Sequence, residues 1–459
     1  MTALADAPAT TRGPLPLAAR PGRGRLVAPL TAPAAAAGAA AVVGWWWVNT
    51  PTVHGLGDWL TNAGRITGLL AGYLLAWLLI LMARTPLLEH HVGADVLARW
   101  HARAGRYTVG LVVAHGLLVT WGYAVLAHTG VVRQASTLLL SYPDVLMATV
   151  GGLLLVGVGV VSARAARARM RYETWYYLHL YTYLAIALSF AHVFATGQEF
   201  ASHPFARVLW SALYLFAAGA VVWHRIATPA YRTWRHRMRV GRVVAEGPGV
   251  VSIVLRGRHV DELGVQPGQF VRLRFLSRDL WWAAHPFSLS AAPHGDLLRV
   301  TVKHLGDHTG HMPALRHGTR VLVEGPYGAL TAQRRTRRKV LLLAGGIGIT
   351  PLRALFQSLP AAPGDLTLVY RAERPDDLVL RREIETLAER REQAAHFLPG
   401  RVGGDRDVLV GDRLRRLLPD LRAHDVYVCG PPGFVNAATA ALRRLGVSRR
   451  HIHSENFAF

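Results

Sequence analysis

Four histidines sit on two apolar segments whose composition suits a membrane: "RWHARAGRYTVGLVVAHG" carries His101 and His115, and "YYLHLYTYLAIALSFAHVF" carries His179 and His192. Imidazole gains little from hydrocarbon, and ionisable groups at membrane depth serve chemistry by default. The separations, 115 − 101 = 14 and 192 − 179 = 13 residues, correspond to about 20 Å of helical rise. One imidazole from each helix at each of two depths would grip two metal ions, with room between the helices for two stacked macrocycles. At roughly 100° per residue, fourteen positions return near one face and thirteen fall about 140° away, so the second helix is expected to carry a bulge, a bend or a steep crossing. The bland alternative is interfacial or packing histidines. The only cysteine, Cys429, excludes an intramolecular disulfide and a C-x-x-C-H attachment, so a haem here would be b-type, held by ligand bonds and packing. Arg65 in "TNAGRITGLL" reads either as a snorkelling arginine or as a partner for a haem propionate near the outer iron.

A second group of motifs belongs to flavin and nicotinamide chemistry. "HPFSLS" follows "QPGQFVRLRF", so His285, Pro286, Phe287 and Ser288 would lie along one strand on which a flavin docks, Ser288 reaching the isoalloxazine edge. "VTVKHLGDHTG" supplies Lys303 for a diphosphate and Thr309, with nearby backbone N–H groups, for phosphate oxygens. "KVLLLAGGIGITPLRALFQSL" reads as strand, glycine turn and helix: Gly345, Gly346 and Gly348 allow close backbone approach, and the helix start at Thr350 and Pro351 offers N–H groups to a pyrophosphate. Arg371 and Arg374 in "LVYRAERPDD" would clasp a 2′-phosphate and favour NADPH, whereas neighbouring Glu373 suits a bare ribose and keeps NADH as the alternative. "VYVCGPPGF" places Cys429, Gly430 and Pro431 on a further ligand-facing loop, Cys429 either bordering the nicotinamide or serving as a buried structural thiol. In the terminal "ENFAF", Phe457 or Phe459 would stack on the flavin and yield to nicotinamide, Phe457 being favoured; simple packing is the alternative.

These residues need elements to carry them. The 459-residue chain is 51% hydrophobic, which implies a membrane portion, and its net charge of +24 comes almost wholly from arginine. The arginines flank apolar stretches ("RPGRGR", "SARAARARMR", "HRIATPAYRTWRHRMR"), the positive-inside pattern of a multi-pass membrane protein rather than a nucleic-acid surface. Six apolar segments are expected at about 26–48, 60–83, 105–127, 143–162, 175–196 and 205–227, with both termini in the cytoplasm. The first is read as a retained anchor, since its run exceeds a signal core and ends in the interfacial "GWWWVN". The predicted organisation is a disordered tail over 1–25, a six-helix haem bundle over 26–228, an antiparallel β-barrel for FAD over 237–335, and a parallel-sheet α/β domain for NAD(P) over 336–459.

With these motifs in order, the chain resembles the NADPH oxidase and ferric reductase superfamily over about residues 26–459. His101, His115, His179 and His192 fall on that family's four haem-ligand positions, "HPFSLS" on its flavin signature, "GGIGITP" and "CGPPG" on its nucleotide loops, and "ENF" on its end. The resemblance implies six helices, two b haems, FAD and a nicotinamide dinucleotide, with Arg65 similar to the arginine beside the outer haem. Departures are Ala458 and Phe459 after the usual terminal phenylalanine, "HPFS" for "HPFT" and "GDHT" for "GDWT". No EF-hand is visible, so constitutive activity is expected. The expected function is NADPH-driven electron transfer across the membrane to oxygen, or to a ferric or cupric complex, with a quinone or protein acceptor behind these. A membrane transporter or receptor whose flavin domain senses redox state is the competing class, and oligomeric state is not legible.

Overall fold

The structure, a computed structural model, describes residues 27–456 apart from 51, 168, 171, 202, 401–408 and 411; the expected amino-terminal tail, Phe457, Ala458 and Phe459 lie outside the described residues. The chain divides between Ile226 and Ala227 into a helical unit and an α/β unit.

In the helical unit α1 spans Val27–Asn49, α2 Gly55–Met82, α3 Ala94–Leu126, α4 Val145–Ser162, α5 Tyr172–Thr196 and α6 Pro204–Val222. Among the described residues, five helices are long and apolar enough to cross a membrane, the last continuing to His236. The 23-residue α1 occupies the remaining apolar segment. At 33 residues α3 is about 50 Å long, well beyond the hydrocarbon thickness and beyond the span read from hydropathy. Its first turns, "ADVLARWHARAGR", are arginine-rich, and Ala, Leu and Arg are strong helix formers that carry the helix out of the apolar layer. The bulge considered for α5 is absent: α5 is unbroken α-helix, leaving helix inclination and the reach of the imidazoles to bring its histidines to those of α3. A π-turn at Trp223–Ala227 instead precedes α7, Thr228–His236. Pro229 lacks an N–H and would clash with the carbonyl four residues back, and a widened turn accommodates it. Glycines set the close approach of α2 to α3, since a Cβ on Gly122 would stand 2.4 Å from the Thr61 hydroxyl and one on Gly64 2.5 Å from Val119.

The α/β unit begins with six short strands: β1 Arg239–Gly247, β2 Val250–Arg256, β3 Phe270–Phe275, β4 His285–Ser288, β5 Leu297–Lys303 and β6 Val321–Tyr327. They form two antiparallel sheets, β1-β2-β5 and β4-β3-β6, linked by bridges at Arg239↔Arg320 and Leu289↔Val300, so the strands follow one another around a ring. Alternation in "FVRLRF" buries Val271, Leu273 and Phe275 inside it. A five-stranded parallel sheet follows, ordered β11-β10-β7-β8-β9, with β7 Lys339–Gly345, β8 Leu366–Ala372, β9 Ala394–Pro399, β10 His424–Gly430 and β11 Ile452–Asn456. Helices α8 (Ile349–Ser358), α9 (Arg381–Arg391) and α10 (Pro432–Arg444) accompany it. Covered on both faces, β7 and β10 read as continuous apolar runs rather than alternating ones.

Asp425 on β10 fastens the connection between these two lobes. Its carboxylate accepts the backbone N–H groups of Thr336 and Arg337 at 2.5 and 2.7 Å and faces His451 Nδ1 at 2.9 Å. Burial alone would raise this carboxyl's pKa; the bonds from His453, Thr336, His451 and Arg337 outweigh it and hold the group below the usual carboxylate range. A depressed carboxyl stabilises the fold above its unfolded-state pKa of about 3.9 and loses that contribution as pH falls toward the lower folded value. Asp425→Asn is therefore expected to lower the melting temperature at pH 7 while flattening its decline between about pH 5 and 3, measured by thermal melts across that range.

Candidate functional site

In the helical unit the four histidines meet in two pairs joining α3 to α5. The His101 and His179 ring centroids are 5.8 Å apart, and those of His115 and His192 are 6.3 Å apart. In all four rings Nδ1 faces a neighbouring oxygen: His101 the Leu78 carbonyl at 3.3 Å, His115 the Gly64 carbonyl at 2.8 Å, His179 the Ser162 hydroxyl at 3.4 Å and His192 the Thr196 hydroxyl at 2.8 Å. Engaging Nδ1 orients each ring and leaves Nε2 as the nitrogen open to a ligand. Gly68 makes room for the His115–His192 pair, since a Cβ there would stand 2.6 Å from His115 Nδ1. Trp175 stacks on His179 at 5.2 Å and donates to the same Ser162 hydroxyl at 3.1 Å.

Two imidazoles on opposite sides of one metal, with bonds of about 2 Å and a ring radius of about 1.1 Å, have centroids about 6 Å apart, the spacing found here. Among the described residues no group of three or more His, Cys, Asp or Glu gathers to hold a metal ion. An imidazole pair at this spacing fits a metal that brings further ligands of its own, as a haem does.

Arg65 is not a snorkelling side chain. It is 12% exposed, donates to Asn62 Oδ1 at 2.7 Å, and is ion-paired through its other terminal nitrogen to Glu199, 3% exposed in a single turn after α5. Since Gly64 carries the carbonyl that holds His115, the Arg65–Glu199 pair belongs to the surroundings of the His115–His192 pair. Sequence reasoning missed Glu199, which lies in a segment read as an outer loop.

In the α/β unit the ring presents the flavin motif on β4. Ser288 Oγ is buried without a hydrogen-bond partner, as a group awaiting a polar ligand would be. His285 packs 4.9 Å from His308, whose ring lies 4.2 Å from Trp282. The aromatic environment absent from "GDHT" is thus supplied by Trp282, which the motif reading did not single out. Phe287 is buried in the ring core and Pro286 is exposed. Lys303 ends β5 and is half-buried. The Thr309 hydroxyl accepts the N–H groups of Leu305 and Gly306 at 2.9 and 3.2 Å and donates to the Gly306 carbonyl at 3.0 Å, bracing its own loop.

The parallel sheet reverses its order between β7 and β10, the switch point where ligands bind at the carboxyl ends of strands. Gly345, Gly346 and Gly348 stand at the end of β7, and Cys429, Gly430 and Pro431 at the end of β10. Gly346 has φ +54 in open space, a conformation that favours glycine. A Cβ on Gly348 would lie 2.2 Å from the Cys429 carbonyl oxygen and 2.6 Å from the Gly430 nitrogen. Thr350 closes the turn onto the Ile347 carbonyl at 3.1 Å, with Pro351 buried behind it. Phe434, which sequence reasoning passed over, packs against both Gly345 and Gly430. Gly348→Ala sets a methyl against the rigid Cys429–Gly430 peptide; we expect KM for NAD(P)H to rise at least ~10-fold and stability to fall by about 1–3 kcal/mol, read from initial rates and a thermal melt.

Cys429 is fully buried in the sheet core, where burial and nearby Glu455 push its thiol's pKa up, so the structure favours the packed-thiol alternative. Arg371 is buried with a bond to the Gly400 carbonyl at 3.3 Å. Arg374 is exposed and bonds the half-buried Asp377 at 3.2 Å, so of the two arginines it is the accessible one.

The lobes are tied by a buried charge network that sequence reasoning also missed. Arg299 of β5 grips Glu383 of α9 with two bonds of 2.9 and 3.1 Å and bonds Ser290 Oγ and O at 3.1 and 2.7 Å. Arg353 of α8, with no exposed surface, pairs with the same carboxylate. Beside it, Gln357 Oε1 accepts the Ala292 N–H at 2.9 Å.

Known proteins resemble the chain in three consecutive stretches. The ferric reductase like transmembrane component family matches residues 67–190, the FAD-binding domain family 247–331 and the oxidoreductase NAD-binding domain family 342–440. The glycine betaine monooxygenase reductase subunit of Chromohalobacter salexigens is 27% identical over 248 residues, 50% of this chain and 67% of that protein. The flavohemoprotein of Deinococcus radiodurans is 31% identical over 246 residues, 49% of this chain and 60% of that protein. The chain thus spans about two thirds or less of these relatives. The flavohem-like FAD/NAD binding domain of nitric oxide dioxygenase from Vibrio cholerae aligns at 24% identity and a TM-score of 0.42, covering 48% of this chain and 98% of that one.

Apolar helices followed by flavin and nicotinamide lobes define a membrane-bound, NAD(P)H-dependent flavin oxidoreductase. The order of the three matched domains is the architecture of the ferric reductase and NADPH oxidase superfamily.

Proposed function

We propose that this protein carries electrons from cytoplasmic NADPH, through FAD and two b-type haems, to an acceptor on the outer side of the membrane. The observation that carries the reading is the pair of imidazole couples at 5.8 and 6.3 Å, each Nδ1 engaged and each Nε2 left to ligate. When bound, these groups supply hydride acceptance and one-electron conduction; the chain supplies spacing, orientation and a dry surrounding. His101 and His179 would hold the inner iron, His115 and His192 the outer one. Ser288 would meet the isoalloxazine edge, Lys303 the flavin diphosphate, the Gly345–Gly348 turn the dinucleotide pyrophosphate, and Arg374 a 2′-phosphate. Six spans, counting α1, would leave both termini on one side of the membrane, which the arginine-rich flanks make the cytoplasm, and the division at Ile226 supports a haem domain over 26–228 followed by FAD and NAD(P) domains over 237–335 and 336–459.

Oxygen is the acceptor the outer site favours, giving superoxide. Glu199 neutralises Arg65 beside the outer histidines, and a neutral buried pair attracts a small uncharged molecule better than an anionic ferric chelate. The test is NADPH-driven turnover in sealed proteoliposomes, comparing a superoxide-specific external reporter in air with ferric chelate reduction under anaerobiosis. Superoxide formation exceeding ferric reduction is expected; ferric reduction with no superoxide would reverse the order of acceptors.

A further inference from the structure

At one end of the six-stranded ring, Arg256, Arg239 and Arg320 stand side by side on neighbouring strands: Arg239 is the register partner of Arg256 in the β1–β2 ladder and of Arg320 across the bridge that links the two sheets. Like charges directly opposite on paired strands repel and destabilise a sheet. With Arg237, Arg258 and His317, Arg239 and Arg256 line a cavity of about 530 Å³. Among the described residues none of these arginines is ion-paired to a carboxylate. Glu262 is engaged instead by Arg235 in two bonds of 3.1 and 2.8 Å. Arg239 gives one bond, 3.0 Å, to the Gly318 carbonyl. A row of guanidinium groups kept in register with no anion from the chain points to an anion from outside it.

The place in the chain says which anion. Arg237 is the residue immediately after the continuous helix that carries the last apolar segment and runs on to His236. Three and six residues earlier, Trp234 and Tyr231 are 66% and 59% exposed with ring centroids 6.2 Å apart, an aromatic pair of the kind enriched at headgroup level. The cavity is not the flavin-phosphate end of the ring: Arg256 is opposite Leu297 at the start of β5, whereas Lys303 ends that strand, six steps or about 20 Å away. We propose that the Arg237–Arg239–Arg256–Arg258 cavity binds the phosphate of an anionic phospholipid headgroup, clamping the flavin-binding ring to the membrane surface. The phosphodiester accepts bonds from guanidinium groups that otherwise repel one another, so lipid binding and ring stability are linked.

The test uses the full-length, FAD-loaded protein in nanodiscs of phosphatidylcholine, titrated with short-chain phosphatidylglycerol, the temperature of flavin release being followed by flavin fluorescence. Near 100-fold excess over Kd, phosphatidylglycerol is expected to raise that temperature by roughly 5–10 °C. Arg239→Gln/Arg256→Gln/Arg320→Gln is expected to shift by less than about 1 °C, and in pure phosphatidylcholine to be at least as stable as the wild type because the repulsion is gone. Should the triple variant fail to accumulate, Arg256→Gln alone, at the exposed strand end, is expected to halve the wild-type shift. Equal shifts in wild type and variant, or none in wild type, would overturn the proposal. An equal response to inorganic phosphate would overturn the lipid assignment in favour of a free phosphate, and a response to a single-stranded oligonucleotide alone would overturn it in favour of nucleic acid.

Discussion

His115→Ala and His192→Ala are each expected to remove about half of the low-spin b-haem absorbance and to cut NADPH-driven reduction of an external acceptor by at least ~100-fold. Reduction of a soluble dye by the flavin domain should stay within about twofold of wild type. The contrast follows from the separation of the two units: His115 and His192 lie in the helical unit, and the flavin and nicotinamide motifs lie wholly beyond Ala227. Each histidine contributes one of the two imidazoles of its pair, and the hydrogen bond at its Nδ1, 2.8 Å in both cases, fixes which nitrogen is offered. Since the pair acts as a unit, the double variant should lose little more than either single one. Thr196→Val, which deletes the hydroxyl beside His192 and keeps the ring, is expected to weaken retention of the outer group by roughly 10-fold without abolishing it. Wild-type spectra and turnover in both alanine variants would refute the ligand assignment.

What the sequence made legible divides along a physical line. The apolar spans, the paired depths of His101 with His179 and His115 with His192, and the glycine turn at Gly345–Gly348 are local patterns, set by period and side-chain type within a few residues. The groups that were not legible act across long separations: Glu199 meets Arg65 over 134 residues, and Glu383 meets Arg299 over 84. Nothing near Glu199 marks it as buried, because a polar residue in a short turn between spans reads as solvated until the neighbouring helices close over it. Thr309 is a further case: its type and position suit a phosphate, and the three bonds its hydroxyl makes within its own loop are invisible in the motif. Cys429 likewise stands at the end of a strand where ligands bind, yet its thiol turns into the core while its backbone abuts Gly348.

Glu383→Ala is expected to be the most damaging substitution in the α/β unit outside the cofactor motifs. It would strand two buried guanidinium groups, Arg353 with no exposed surface and Arg299 with 10%, whose shared carboxylate has vanished. Breaking a buried charge network by removing one partner costs about 3–5 kcal/mol, because the remaining charges are left uncompensated. For a unit of this size that lowers the melting temperature by roughly 10 °C. The consequence for catalysis is geometric. Arg299 belongs to the flavin-binding ring, Arg353 and Glu383 to the nicotinamide lobe, and the three hold one lobe against the other. Hydride transfer requires reacting atoms about 3–3.5 Å apart, and a 1 Å misplacement costs on the order of 100-fold. Glu383→Ala should therefore slow NADPH-driven bleaching of the flavin by roughly 10- to 100-fold at a temperature well below its melt, with flavin content unchanged. Glu383→Gln, which keeps an acceptor oxygen and loses the charge, should fall between the two. A melting temperature within 1 °C of wild type and bleaching within twofold would show that the network neither stabilises the unit nor sets the approach of its lobes.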